Sequence, residues 1–319
     1  MGAGIPREIP GIIAKLARQE TADLRLAVAG AMPEDTYHSS FSPLEVMGTI
    51  LPKIEPPRFF AIISSNALAL TLVKKATGVV DGFVIEGPTA GGHNAPPRGE
   101  VQRNTRGEPV YGMKDKVDLE KIRSLGLPFW LAGSYGSPEG LRTALELGAK
   151  GIQVGTPFAL CRESSLCEEL KTKLLREAMN GGVDVFTDPN ASPTGFPFKV
   201  ARLPGTMSEE SVYAERNRFC DMGYLRTPYR KENGSLGYRC AAEPQSDYVA
   251  KGGRLEETAG RKCLCNSLLA NIDLGQLQNG KSVEKPLVTI GDNVNQIRQF
   301  LLNGSFSYTA EDVVRTILG

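Results

Sequence analysis

The chain has 319 residues, enough for one large domain or two modest ones, and its 41% hydrophobic and 7% aromatic content is that of an ordinary globular protein. Its 37 Lys+Arg against 36 Asp+Glu leave a net charge of +1, dispersed along the sequence. That dispersion argues against the basic face of a nucleic-acid binder and the polybasic patch of a membrane-surface protein. The longest apolar runs, such as Phe59 to Ile63, are far too short to span a bilayer, and no basic segment followed by an apolar one opens the chain. Six cysteines in this length make no disulfide framework, so the sequence reads as a cytoplasmic protein with reduced thiols.

From about Leu24 to Phe158, short apolar runs alternate with amphipathic stretches. Phe59 to Ile63 is apolar without alternation, as in a strand buried on both faces. Asn66 opens a helical stretch from Ala67 to Ala76, which Gly78 ends. Further buried strands are predicted at Gly82–Glu86, Phe129–Ala132 and Gly151–Val154. Between the last two, Ser137 suits a helix N-cap and Pro138 its first position. Leu141, Ala144 and Leu145 share one face of that helix, and Gly148 closes it. Strands separated by helices at this spacing imply βαβ units and a parallel sheet, in a barrel or an open sheet.

Past about Leu203 the alternation fades into a polar, loop-rich stretch that runs to Gly280. A final helix is marked by Thr309 and Asp312 as a capping box before Val313, Val314, Ile317 and Leu318. The composition places a boundary near residue 205, between an α/β portion, 1–205, and a loop- and helix-rich appendage, 206–319.

Three segments carry chemistry. Gly133-Ser134-Tyr135-Gly136 lies between a buried strand and a capped helix, where small residues admit a ligand to free N–H groups. Gly155-Thr156 repeats that arrangement one strand later. Either loop alone serves a tight turn as readily as a phosphate; the pair, one helix and one strand apart, favours phosphate, as in barrels that build such a site after strands 7 and 8. Ala90-Gly91-Gly92-His93 follows the strand ending at Glu86, at the carboxyl end of a parallel sheet, where active sites sit. There Gly91 and Gly92 would let a flat ring lie against the backbone, with His93 as a proton acceptor. His38, in the polar stretch Asp35 to Ser40, is assigned no role.

These segments resemble the nitronate monooxygenase family (formerly 2-nitropropane dioxygenase), which also contains flavin-dependent enoyl-acyl-carrier-protein reductases. Glu86-Gly87-Pro88-Thr89-Ala90-Gly91-Gly92-His93 is similar to the family's EGxEAGGH, Ala132 to Gly136 stands where it has AGGIG, and Gly151 to Phe158 resembles GVQMGTRF. Gly2 to Pro6 resembles its GAGIP, which follows a mid-barrel strand. The resemblance implies a TIM-type (β/α) barrel, partial at its N-terminal side because the family's mid-barrel motif already stands at Gly2 and the early strands of a barrel of about 200 residues or more have no counterpart, followed by an α-rich appendage. It also implies FMN, held by Gly91, Gly92, Gly133, Ser134, Gln153, Gly155 and Thr156, with His93 as the base that takes the α-proton of a nitroalkane or orients a nitronate. Oxygen would then yield a carbonyl compound and nitrite. In the reductase relatives NAD(P)H reduces the flavin and an enoyl thioester accepts the hydride. A third alternative is a catalytically idle barrel fragment acting as a binding subunit. Thr89 replaces a frequent Glu, Ser134 replaces a glycine, and Asn94-Ala95-Pro96-Pro97 is an unusual continuation.

The partners expected are a small-molecule substrate, no nucleic acid, no membrane, and room for a homo-oligomer. Cys220, Cys240, Cys263 and Cys265 could as thiolates bind zinc or an iron–sulfur cluster. They include no CxxC pair, however, so we expect buried reduced thiols and no metal. Cys161 and Cys167 fall on a predicted helix without a partner. Asp188 to Gly195, dense in turn formers, suits either a substrate loop or a plain connector.

Overall fold

The computed structural model describes residues 6–49, 52, 54–278, 280–282, 284–301 and 305–319; residues 2–5 of the opening glycine motif lie outside them. Helix α1 (Ile9–Ala17), an antiparallel pair β1 (Ala22–Arg25) and β2 (His38–Phe41), and α2 (Pro43–Met47) come first. Then follow β3 (Phe60–Ile63), α3 (Asn66–Lys75), β4 (Gly82–Glu86), α4 (Leu119–Arg123), β5 (Phe129–Ala132), α5 (Pro138–Glu146) and β6 (Ile152–Gln153). The four strands β3 to β6 form one parallel sheet in chain order, which fits the βαβ reading. Among the described residues no further strand joins either edge, so the barrel stays open.

Strand period 2 decides what each face does. Ala61 and Ile63, Phe83 and Ile85, and Phe129 and Leu131 point one way, onto Ala69 and Leu72 of α3, Ile122 of α4 and Ala144 of α5. The other face carries Phe60 and Trp130, packed edge to face with ring centroids 4.9 Å apart. Each helix starts on a side-chain cap. Ser65, Asp118 and Ser137 accept the N–H of Leu68, Lys121 and Gly140 at 3.1, 3.2 and 3.0 Å. On α5, Ala144 is buried as expected, but Leu145 is 50% exposed: it sits one position past the stripe and faces outward.

The chain continues through α6 (Thr156–Ala159), α7 (Glu168–Asn180) and an antiparallel hairpin of β7 (Val185–Asp188) and β8 (Phe198–Ala201). Cys161 lies just past α6 and Cys167 caps α7, so neither stands within a helix as expected. Beyond residue 205 come α8 (Glu210–Ala214), the pair β9 (Thr227–Arg230) and β10 (Leu236–Arg239), α9 (Gln245–Ala250), α10 (Leu264–Ala270), the short pair β11 (Leu277–Gln278) and β12 (Lys281–Ser282), and α11 (Ala310–Leu318). A 3₁₀ stretch, Asp292–Phe300, precedes α11. Thr309 and Asp312 form the expected capping box.

Composition changes near residue 205, but packing does not divide there. One buried cluster joins Leu170, Leu174 and Leu175 of α7 and Ala201 of β8 to Val288, Ile297 and Ile317 from the end of the chain. The hydroxyl of buried Tyr308 donates to the Pro157 carbonyl at 2.8 Å, across 151 residues. Ile297→Ala should therefore cost about 2–5 kcal/mol in denaturant melts, and should lower amide-exchange protection in α7 and β8 together with residues 288–301. Protection lost only after residue 205 would show two separately folding units.

Candidate functional site

A cleft of about 350 Å³ opens at the carboxyl ends of β4, β5 and β6. Three strand-to-helix loops form its walls: Thr89–Gly92 after β4, Gly133–Gly136 after β5, and Gly155–Pro157 after β6. Each strand ends where its apolar run meets glycine, so the sheet presents three backbone loops side by side. All seven residues expected to hold a cofactor, Gly91, Gly92, Gly133, Ser134, Gln153, Gly155 and Thr156, line this cleft.

The fourth wall comes from residues that sequence reasoning did not single out: Thr289, Ile290, Gly291, Asn293, Gln296 and Ile297. This strap is hydrogen-bonded across the mouth. Thr289 Oγ1 accepts the Gly92 N–H at 2.7 Å, Thr156 Oγ1 accepts the Gly291 N–H at 2.9 Å, and the Asp292 N–H donates to the Thr89 carbonyl at 3.0 Å. The buried Lys199 ammonium bonds Thr187 Oγ1 and Asp292 Oδ2 at 2.7 and 2.8 Å, tying the β7–β8 hairpin to the same strap. The apolar run Leu287 to Ile290 ending in Gly291 was the available signal: a strand-end pattern like those of the other walls, isolated by the irregular stretch before it.

Gly91 permits the close approach. A Cβ there would stand 2.8 Å from the Ile290 carbonyl carbon and 3.0 Å from the Gly291 nitrogen, both backbone atoms. Gly133 has φ +89 and Ser134 has φ +66, a left-handed pair that non-glycine residues seldom enter. Gly155 is different. Its φ is −114, and a Cβ built on it would meet nothing within 4 Å, so nothing in the protein itself requires glycine there. That open space is part of the cleft.

Ser134 supplies the sharper observation. Its hydroxyl oxygen is buried and has no hydrogen-bond partner among the described residues. A buried polar atom without a partner costs about 1–3 kcal/mol, and strained backbone persists where function uses it. Glu86, at the end of β4, adds a carboxyl in the same wall. Burial pushes its pKa above the ordinary 4.5.

His93 is not among the lining residues. Its Nε2 lies 2.6 Å from Ser192 Oγ, and its ring stands edge-on to Phe198 at 4.9 Å. Ser192 in turn bonds Thr194 Oγ1 at 2.7 Å, so the turn-rich segment from Asp188 to Gly195 is the support of this histidine. Loss of solvation holds the imidazole pKa below its ordinary 6.5, which favours the neutral ring. His38 pairs with Arg25 on the exposed β1–β2 ribbon, away from the cleft lining.

The sequence of this wall has known counterparts. Residues 58–187 match the profile of the nitronate monooxygenase family. The chain is 41% identical over 138 residues to nitronate monooxygenase of Pseudomonas aeruginosa, covering 43% of this chain and 32% of that protein. It is 33% identical over 96 residues to a probable nitronate monooxygenase of Bacillus subtilis, covering 30% of this chain and 26% of that one. The chain thus matches about a third or less of the length of these relatives. Among solved structures, FabK from Thermotoga maritima superposes with a TM-score of 0.44 at 19% identity, over 82% of this chain and 60% of that one. A nitroalkane oxidase from Streptomyces ansochromogenes gives 0.38 at 15% identity, over 82% and 58%. The family is one of flavin enzymes, and a flavin is the cofactor class that this segment brings. No helix among the described residues is long and apolar enough to cross a membrane.

Gly91→Ala tests the strap. The added methyl has only backbone to push against, so we expect a loss of about 1–3 kcal/mol in denaturant melts. Gly155→Ala should leave the melt within about 0.5 kcal/mol. Equal effects at the two sites would remove the close approach as the reason for Gly91.

Proposed function

We propose that this chain binds FMN in the cleft and serves the oxidation of nitroalkanes or nitronates by oxygen. The buried, unpartnered hydroxyl of Ser134 carries the reading, because it stands in a cleft walled by three backbone loops of a flavin-enzyme segment. The residues fit the group: glycine loops after three consecutive strands offer backbone N–H donors, and Ser134 and Thr156 offer hydroxyls. Gly133, Ser134, Gly155 and Thr156 would hold the phosphate, Gly91 and Gly92 would face the ring system, and Gln153 would hydrogen-bond along it. FMN when bound supplies the electron acceptor for the substrate and passes the electrons to oxygen.

The protein's own contribution is proton handling and position. A nitroalkane must lose its α-proton, and His93 is the base in this reading: burial keeps it neutral, and Ser192 fixes the ring through Nε2. Because an acceptor must be unprotonated, activity on a neutral nitroalkane should hold as pH falls to 6.5. It should decline only below that, through the lowered histidine pKa. The strap from Thr289 to Asp292 keeps the two sides of the cleft at fixed separation while this happens.

Two measurements test the proposal. Gly155→Val should cut flavin stoichiometry in the purified protein without shifting its melt, since the new side chain enters only the ligand's space. Parental flavin content in that variant would move the cofactor elsewhere. His93→Asn should lose on the order of 10²–10⁴-fold on nitroalkanes and far less on pre-formed nitronates, which need no deprotonation. Equal losses on both substrates, or an acidic limb centred above pH 6.5, would reduce His93 to a support of the β7–β8 hairpin.

A further inference from the structure

The polar region after residue 205 reaches back to the turn that supports His93. Just ahead of α10, two consecutive residues take three consecutive carbonyls of that turn. Arg261 Nη1 donates to the Asn190 and Ser192 carbonyls at 3.0 and 2.6 Å, and the Lys262 N–H donates to the Ala191 carbonyl at 2.8 Å. We propose that Arg261 is a positioning residue for His93: it holds Ser192 where the serine oxygen accepts from Nε2, and so leaves Nδ1 as the ring atom that takes the substrate proton. This rests on His93 being the base of the proposed reaction.

Ala191 and Ser192 are fully buried, and a buried turn must have its backbone polar groups satisfied. The turn caps its own N–H groups: Asp188 Oδ1 accepts those of Asn190 and Ala191 at 2.8 and 3.0 Å. Its carbonyls are met from outside, by residues about 70 positions away in the chain. Gly260, with φ +71, admits the clamp, since a Cβ there would stand 3.0 Å from Asn190 Cβ. The guanidinium is itself steadied by its Nε, which donates to the Glu257 carbonyl at 3.1 Å, and the buried Lys262 ammonium pairs with Asp188 Oδ2 at 3.5 Å. From the other side, the Asn94 N–H donates to the Pro197 carbonyl and the Lys199 N–H to the Gly92 carbonyl, both at 2.9 Å. The backbone around His93 is thereby tied to β8, and its ring is held at Nε2 by the clamped turn.

The contacts of the serine oxygen decide between the ring nitrogens. A serine hydroxyl has one proton to give and two lone pairs. Ser192 Oγ lies 2.6 Å from His93 Nε2 and 2.7 Å from Thr194 Oγ1, and it accepts the Thr194 N–H at 3.2 Å. With that N–H on one lone pair, the hydroxyl proton goes either to Thr194 or to the ring. Given to Thr194, it leaves the second lone pair for Nε2–H, and Nδ1 is then unprotonated, with no hydrogen-bond partner among the described residues. Thr194 is exposed, so water takes its proton in turn. The opposite direction occupies Nε2 and protonates Nδ1, which leaves no nitrogen able to accept. Only the first direction survives proton uptake, because both nitrogens of an imidazolium donate. The step then balances: the α C–H bond breaks, its electron pair stays on the substrate as a nitronate, and the proton joins Nδ1.

The test reads the ring nitrogens by nitrogen–proton NMR on the full chain, histidine-labelled and held at a pH where the ring is neutral. His38→Gln removes the second of the two histidines, so that every signal belongs to His93. In this background the proton should sit on Nε2; a proton on Nδ1 overturns the proposal with no change at Arg261 needed. Arg261→Met should mix the two tautomers and lower kcat on a nitroalkane by up to about 100-fold, with KM moving less and pre-formed nitronates affected far less. Arg261→Lys, which keeps the charge and N–H donors, is the milder second variant and should shift both readouts the same way by a smaller factor. An unchanged tautomer or unchanged nitroalkane turnover in these variants would overturn the assignment of Arg261. Equal losses on both substrates in His93→Asn would strike the base alone, because the tautomer is read without turnover.

Discussion

Everything about the cleft depends on one close approach, the passage of Ile290 and Gly291 against Gly91. Two backbones can meet at that distance only because Gly91 lacks a Cβ. The contact joins residues some 200 positions apart in the chain, and three hydrogen bonds to Thr89, Gly92 and Thr156 hold it in register. The sheet alone would present three loops on an open edge. With the strap in place, those loops become one wall of a concave site, and the end of the chain is committed to the core.

That commitment explains where polar groups are afforded inside. Lys199 reaches its buried position because Thr187 and Asp292 accept from its ammonium, so the charge is paired on entry. Arg216 and Glu284 follow the same rule in the C-terminal region, with Ser267 completing the carboxylate at 3.1 Å. Ser134 and Glu86 break it. Both lie in the cleft, one an unpartnered hydroxyl and one a carboxyl raised by desolvation. Asn94, Asn271 and Gln276 also carry buried polar side-chain atoms without a partner among the described residues, but of these residues Ser134 is the one that lines the cleft, where a ligand is the economical physical account.

The parallel sheet was legible in the sequence because its strands are short apolar runs bounded by glycine or serine caps, although only β4 and β5 are largely buried on both faces, while Phe60 of β3 and Gln153 of β6 are exposed. Phe129 to Ala132 and Gly82 to Glu86 match residue for residue. The three loops that wall the cleft were legible for the same reason, since a glycine at a strand end stands out. Ser192 and the strap were not. Their roles depend on tertiary hydrogen bonds spanning 99 residues for His93 to Ser192 and 197 for Gly92 to Thr289, and no local period encodes such pairs. The packing of the chain's end was hidden for a related cause: polarity changes near residue 205, but Val288, Ile297 and Ile317 pack with the core of α7 and β8.

The charge of the cleft constrains what it can select. Its lining includes Glu86 but no Lys or Arg among the described residues, so any anionic part of a ligand must be met by neutral donors. Backbone N–H groups and hydroxyls are fixed dipoles, aimed by the strand ends and held by the strap, and they would need no reorganisation to meet an anion. Mobile cations would attract anions of any shape over a Debye length of about 8 Å at physiological salt. Fixed dipoles act only at contact, where geometry decides. The cleft therefore discriminates by fit rather than by charge, and that fit rests on the loop spacing that Gly91 and Gly291 maintain.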